Sequence, residues 1–384
     1  MSYNPFIRGA HPVGVRTVTA TDHSRGRTFP IEIYYPAMSH YRGQDLDDAT
    51  RDRITFAPEV PECLQSAVRN ADAAVGRFPL VLHTHGAFGY RQVMSGLCTH
   101  LASHGYIVAS NDVPGNTLAV LMEDVIAQRR GEAPKAPSQK SVAEQRPRDA
   151  KFVIDAVIRG ADPEIASCID ASRIGALGQS AGGWTSLCLN SIDRRIGATF
   201  AMEPACGENS KYPEMVDLAK MLTIEDWGRP VPTFVLAGEV DPLVMLSDVR
   251  DVYARVSAPK RFANVLRAGH WHFADNAEFA HESFRKMYMT AFPNPLIDAR
   301  ALAEAMRPWS ELLPEKDAHD AARSLCLAHM DAYLKNDDEA LAFLDRDLAG
   351  AFAARGIEIE LDADDGAVAA SLAGSASLTD RRHV

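Results

Sequence analysis

The chain is predicted to be an α/β protein, with eight strands in a mostly parallel sheet, helices on both faces and lid-like insertions. Three observations predict this. Short apolar runs recur along the chain. Stretches of helical period fill most of the gaps between the later runs, and the first two runs are joined only by a short polar turn.

The elements follow in order. Residues 13–20 and 28–35 are β-rich and flank the turn at Asp22–Gly26, which reads as a hairpin of two antiparallel strands. Strands are then expected at 79–84, 106–111, 174–179, 197–202, 231–237 and 262–268. Several are short, mainly apolar runs, as suits strands covered on both faces. Helices are expected at 91–104, stopping at Gly105, and at 146–158, with Pro147 in the first turn. Further helices are expected at 181–190, 246–255 and 277–290. Alternation of this kind implies right-handed crossovers and parallel strands.

Three connections exceed ordinary loop length, about 37–76, 115–143 and 204–230, and are expected to form lids or pocket walls. The second opens with an apolar piece at 118–126, read as a short helix before an exposed loop. Residues 1–345 are taken as one catalytic domain. Residues 346–384 are taken as a C-terminal extension whose tail, acidic and rich in Ala, Ser and Gly from about Glu360, is expected to be loosely held. A helix with Ala322, Cys326, Met330 and Tyr333 on one face should pack on the main body.

Bulk properties narrow the function. Hydrophobic residues make up 46% and charged residues 24% of 384 residues, the balance of a globular protein. A net charge of −11 disfavours nucleic acid or an anionic membrane as partner. No run approaches a membrane span, and the N-terminus lacks the pattern of a secretory signal. The six cysteines are scattered without a CxxC pair and read as free thiols, so a cytoplasmic location is the expectation.

The chemistry is concentrated at strand ends. Gly178-Gln179-Ser180-Ala181-Gly182-Gly183 lies between a strand and a helix, the context a nucleophile elbow requires. The turn is so tight that the flanking residues must be small. It leaves the Ala181 N–H at a helix N-terminus, aimed where an oxyanion would form. His83-Thr84-His85-Gly86-Ala87-Phe88-Gly89 ends another strand, and Ala87 N–H is the expected second donor. Phe88 is its neighbour and a pocket wall; His85 is expected to brace the loop.

A serine needs a base to take its proton. Asp241, in Gly238-Glu239-Val240-Asp241-Pro242, sits on a turn beyond a strand and is the expected acid, with Glu239 as the alternative. His270, in Gly269-His270-Trp271-His272, is the expected base, with His272 as the rival. The order serine, acid, histidine and the lengths between them leave room for the intervening strands and helices. The pairs His83/His85 and His270/His272, with Asp241, also permit a metal-dependent hydrolase.

From about Pro5 to Leu344 the chain resembles the α/β-hydrolase branch that contains platelet-activating-factor acetylhydrolases, dienelactone-hydrolase-like esterases and bacterial polyester cutinases. The likeness is carried by NPFIRGAHPVGVRTV, RTFPIEIYYPA, the stretch from FPLVLHTHGAFGY to NDVPGNT, RPRDAKFVID, RIGALGQSAGGWTSL, VPTFVLAGEVDPLV and RAGHWHFAD, in that order. It implies an α/β-hydrolase fold, a triad of Ser180, Asp241 and His270, and oxyanion donors at Ala87 and Ala181. GHWHFAD is similar to the histidine segment of the acetylhydrolases, which favours His270 over His272. Gln179 stands where many relatives have His, and Trp184 where a smaller or tyrosine side chain is frequent; both are expected to shape the acyl pocket, as are Phe88 and Trp271, with core packing an equal reading for the two tryptophans. Strict dienelactone hydrolases use a cysteine, so their lactone chemistry does not carry over. The expected activity is hydrolysis of a small or short-acyl carboxylic ester through an acyl-enzyme, without metal or organic cofactor. The same triad also supports amide, carbamate or carbon–carbon cleavage.

Overall fold

The computed structural model describes residues 3–55, 62–206, 218–257, 259–290 and 299–362. Twelve strands are present among them: β1 (Val13–Asp22), β2 (Arg27–Pro36), β3 (Arg53–Ile54), β4 (Cys63–Leu64), β5 (Val68–Arg69), β6 (Phe78–Thr84), β7 (Ile107–Asn111), β8 (Ile169–Gln179), β9 (Ile196–Met202), β10 (Thr233–Gly238), β11 (Lys260–Val265) and β12 (Ile359–Leu361). Ten of them form one sheet in the order β12-β11-β10-β9-β8-β6-β7-β2-β1-β5, and β3 pairs with β4 apart from it. Across the sheet from β7 to β11 every neighbouring pair is parallel; β2 runs antiparallel to both β7 and β1, β12 antiparallel to β11, and β1 pairs in parallel with β5.

The sheet therefore has ten strands where eight were expected. The two additions are its edges, the two-residue β5 inside the first long insertion and the three-residue β12. Strands this short carry no legible alternation; they form because an edge strand offers unpaired N–H and C=O groups. Glu360 and Leu361, expected in a loose tail, belong to β12, while residues 363–384 lie outside the described residues.

Helices cover both faces. On one lie α1 (Ser95–Ser103) and, further along the chain, α10 (Glu315–Leu334), α11 (Asp338–Asp345) and α12 (Leu348–Ala353). There Val81, Val108, Leu177, Phe200 and Phe234 meet Leu101, Cys326, Met330 and Phe352. The opposite face carries α3 (Gln139–Ile158) and α5 (Ala181–Ile192), where Leu80, Leu82, Ile107 and Ala176 meet Val153, Ile154 and Leu187. Successive strand residues thus enter different cores, which is why the strands read as unbroken apolar runs. The other helices are α2 (Leu118–Arg129), α4 (Pro163–Ser167), α6 (Leu218–Met221), α7 (Leu246–Arg255), α8 (Ala277–Thr290) and α9 (Ala299–Ala305).

Two expectations about helices change. α3 starts at Gln139, where Ser138 caps it by accepting from the Ser141 N–H at 3.3 Å, so Pro147 sits in its interior and not in its first turn. The first helix is shorter than read, because residues 91–94 form turns before Ser95. Cys98, Cys168, Cys188, Cys206 and Cys326 are buried free thiols, and no described helix is long and apolar enough to cross a membrane.

The chain's beginning packs on α10 to α12. Tyr3 donates its hydroxyl to Asp331 at 2.9 Å, and the Phe6 ring meets Phe352 edge-on at 5.3 Å.

His83, His100 and His329 are all buried, and burial pushes each down to about 3. An unfolded histidine takes up its proton near pH 6.5, so the unfolded state binds more protons below that value. Stability should therefore fall on acidification from about pH 6.5 downward, with a slope of up to about 4 kcal/mol per pH unit from these three groups. Urea unfolding at neutral and mildly acidic pH measures that slope, and replacing His329 by Asn should make it shallower.

Candidate active site

β8 ends at Gln179 and α5 begins at Ala181, so a single residue makes the turn. Ser180 makes it at φ 58°, ψ −125°, a conformation costing a residue with a side chain about 1–3 kcal/mol. The surrounding backbone holds it there. Its N–H donates to the Met202 carbonyl at 2.9 Å, and its carbonyl accepts from the N–H groups of Trp184 (3.0 Å) and Ala205 (3.1 Å). A Cβ on Gly182 would lie 1.8 Å from the Thr84 carbonyl oxygen, and one on Gly178 would lie 2.4 Å from the Gly182 carbonyl carbon. Only hydrogens fit, so the first turn of α5 packs directly against the end of β6. Ser180 is 8% exposed, and among the described residues its hydroxyl makes no hydrogen bond.

Beyond the end of β6 the chain turns through His85 to Gly89. Phe88 holds φ at 56°, and Gly89 N–H donates to the Gly86 carbonyl at 3.2 Å. His85 braces this loop: Nδ1 donates to the Gly86 carbonyl at 2.6 Å, and Nε2 accepts from the Val113 N–H at 3.0 Å. A second brace was not read from the sequence. Arg146 of α3, 2% exposed, donates to the His85 carbonyl, to Asn116 Oδ1 at 2.7 Å and to Thr185 Oγ1 at 3.0 Å. Burial lowers its guanidinium to about 10, offset in part by Asp149. The N–H groups of Ala87 and Ala181 have no acceptor among the described residues.

Asp241 lies in the turn after β10, its side chain 1% exposed. Its Oδ1 accepts the N–H groups of Leu243 (2.7 Å) and Val244 (2.9 Å), and Oδ2 lies 2.6 Å from His270 Nδ1. Donation from Nδ1 leaves Nε2 as the proton-accepting nitrogen of the neutral ring. The alternatives sit elsewhere. Glu239 accepts the Arg267 N–H at 2.8 Å, and His272 accepts the Gly269 N–H at Nδ1 (2.9 Å) while Nε2 donates to the Leu313 carbonyl (3.1 Å). Burial lowers His272 to about 4.

Glu203 was also missed. It directly follows β9 at φ 42°, is 1% exposed, and places Oε2 3.7 Å from His270 Nδ1. Its signal in the sequence is only a carboxylate one residue beyond a predicted strand, immediately before a long insertion.

The residues expected to shape the acyl pocket divide. Phe88 is half-buried in the oxyanion loop. Gln179 Nε2 donates to the His270 carbonyl at 2.9 Å and approaches Glu203 Oε2 at 3.4 Å, so it ties the elbow to the histidine loop. Trp184, for which core packing is the equal alternative, is 1% exposed and lies among core side chains, its indole N–H donating to the Leu218 carbonyl at 2.9 Å. Trp271 stacks on Phe284 at 5.1 Å and meets the His270 ring edge-on at 5.4 Å. The two HxH pairs do not converge. His83 Nδ1 bonds Ser110 Oγ, and both ring nitrogens of His85 and of His272 are taken by the protein's own groups.

The sheet order, the elbow and the loop beside it define an α/β-hydrolase fold. A family profile described as platelet-activating factor acetylhydrolase, isoform II, matches residues 49–120, a stretch that includes the loop His85–Gly89 but none of Ser180, Asp241 and His270. Platelet-activating factor acetylhydrolase of Cavia porcellus is 25% identical over 231 residues, 50% of this chain and 51% of that protein. The chain thus spans about half the length of the curated relative it matches. In structure it is similar to a ferulic acid esterase from Streptomyces cinnamoneus, with a TM-score of 0.59 and 20% identity over 91% of this chain and 96% of the other. At that identity the likeness speaks for the fold. Together the comparisons fall in the esterase branch of α/β-hydrolases to which the motifs pointed.

Replacing Arg146 by Met should lower the unfolding free energy by about 3 kcal/mol, since three buried acceptors lose their donor. Urea denaturation measures the loss, and limited proteolysis should cut faster near Gly86–Gly89.

Proposed function

We propose that the chain is a serine-dependent carboxylic ester hydrolase in which Ser180 is the nucleophile, His270 the general base and Asp241 its orienting acid. The observation that carries this reading is a serine held in a strained elbow with its hydroxyl unbonded, tied through Gln179 to a histidine whose Nδ1 is 2.6 Å from a buried carboxylate. The similarity to an acetylhydrolase and an esterase supports it.

In the first step Ser180 Oγ attacks the ester carbonyl carbon while His270 Nε2 takes its proton. Charge building on the carbonyl oxygen is received by the free N–H groups of Ala87 and Ala181, each contributing about 3 kcal/mol to the tetrahedral state. The alcohol leaves with the proton from Nε2; water, deprotonated by the same nitrogen, then releases the acid. Asp241 holds the ring in the Nδ1–H tautomer and stabilises the imidazolium.

The substrate is a small or short-acyl ester. α2 starts at the oxyanion loop, where Leu118 N–H donates to the Gly89 carbonyl at 3.0 Å, and it presents Met122 and Ile126 half-exposed. In this reading α2, anchored to that loop, serves as the apolar wall that limits the length of the acyl group.

Ser180→Ala should lower hydrolysis of p-nitrophenyl acetate by at least about a thousandfold and abolish labelling by a fluorophosphonate. Across a series of p-nitrophenyl esters, kcat/KM should fall as the acyl chain lengthens. Because both ring nitrogens of His85 and of His272 are engaged and the two HxH pairs do not converge, chelators should leave the rate unchanged; loss of activity in EDTA, restored by zinc, would overturn the serine reading.

A further inference from the structure

Three neighbouring parallel strands end beside the elbow, and each is followed by a titratable group: Glu203 after β9, Asp241 after β10 and His270 after β11. One ligand atom from each lies within 4.8 Å of the other two. Two carboxyl groups therefore share one buried site, although a triad needs only one.

Their surroundings differ. Asp241 accepts three N–H bonds, from Leu243, Val244 and His270. Glu203 has one long contact from Gln179 Nε2 at 3.4 Å, and its Oε1 has no partner among the described residues. That oxygen would lie 2.5 Å from a Cβ on Gly238, so it is pressed against the end of β10 and away from water. Among the described residues, the charged or titratable groups facing Glu203 are Asp241 and His270; β8 supplies only the neutral amide of Gln179, and β10 only backbone. Among the described residues no Lys or Arg faces it to balance a second negative charge.

We propose that Glu203 is a positioning residue of this site: it carries one proton that it donates to Asp241, so that a carboxylic acid–carboxylate pair of single negative charge backs His270. The inference rests on His270 being the base. Two carboxylates at this separation, both out of water, repel each other strongly, and one proton between them removes that repulsion. The proton resides on Glu203 because the oxygens of Asp241 are already occupied by N–H donors. Burial and Asp241 both push the Glu203 carboxyl well above the usual range. During attack the proton of Ser180 goes to His270 Nε2, while the one on Glu203 stays in place. The hydrogen bond it makes spreads the charge of Asp241 and keeps that carboxylate aimed at Nδ1.

The sign of a pH shift tests this. Glu203→Gln retains a neutral donor of the same shape, so the acid limb of log kcat/KM should stay where it is, with kcat falling a few-fold. Glu203→Leu removes the donor, leaves Asp241 more basic and should move the acid limb upward by about half a pH unit or more, with kcat down about tenfold and KM little changed. Were Glu203 ionised, both variants would delete a negative charge beside the imidazole and move the limb downward; that result, or an unmoved limb in both, overturns the proposal. A direct readout does not need turnover. At neutral pH the infrared difference between wild type and Glu203→Gln should contain the C=O stretch of a protonated carboxyl, and a carboxylate band in its place also overturns it. Ser180→Ala and fluorophosphonate labelling stand apart from these measurements: if they fail, the esterase reading falls, whereas the infrared band still decides the state of Glu203.

Discussion

The site depends on one close approach, between the first turn of α5 and the end of β6. With 1.8 Å between the would-be Cβ of Gly182 and the Thr84 carbonyl oxygen, the helix can come no nearer, and a side chain at 182 would force it away. That contact decides how sharply the chain turns after β8 and hence the backbone angles of Ser180. It also fixes the gap between the N–H groups of Ala181, at the helix start, and Ala87, in the loop that leaves β6. In the proposed mechanism a tetrahedral oxyanion needs both at once, and neither could be placed by a side-chain rotamer. His85 and Arg146 hold the loop from behind, so the rigidity of the site comes from buried backbone acceptors as much as from the elbow.

The sheet delivers the remaining groups in strand order. Ser180, Glu203, Asp241 and His270 follow β8, β9, β10 and β11, four adjacent strands, each contributing one residue just past its carboxyl end. Ligand and catalytic groups in parallel α/β sheets gather at this edge, because the strands are fixed by both cores while the loops beyond them are free to vary. Gln179 cross-links the arrangement by joining the turn after β8 to the loop after β11. The site is thus a row of strand ends, and its spacing is that of the sheet.

Much of this was legible in sequence. The six later strands are legible because each is covered on both faces and reads as a mainly apolar run, the first two because they are β-rich and flank a short turn, and the glycines around Ser180 because tight turns forbid side chains. Chain order placed Asp241 and His270 in loops that do meet. What was not legible has a physical cause in each case. β5 and β12 are too short to show a period. α3 was started late because Pro147 resembles an N-terminal proline, when its cap is Ser138. For Trp184 the sequence leaves pocket and core equal, because nothing local tells which face of α5 is buried. Arg146 and Glu203 carry no motif: a lone charged residue on a helix or after a strand is ordinarily solvated, and only the fold reveals that both are sealed from water.

The contacts of Tyr3 and Phe6 with α10 to α12 bear on how the molecule comes into being. The segment around Tyr3 and Phe6 finds its partners, Asp331, Phe343 and Phe352, only after more than three hundred further residues have been added. Until then the outer edge of β11 also lacks β12. A nascent chain whose parallel strands have already paired would therefore display an apolar flank and an open strand edge to its surroundings. That interval, more than the finished fold, is when it is most exposed to association with other chains.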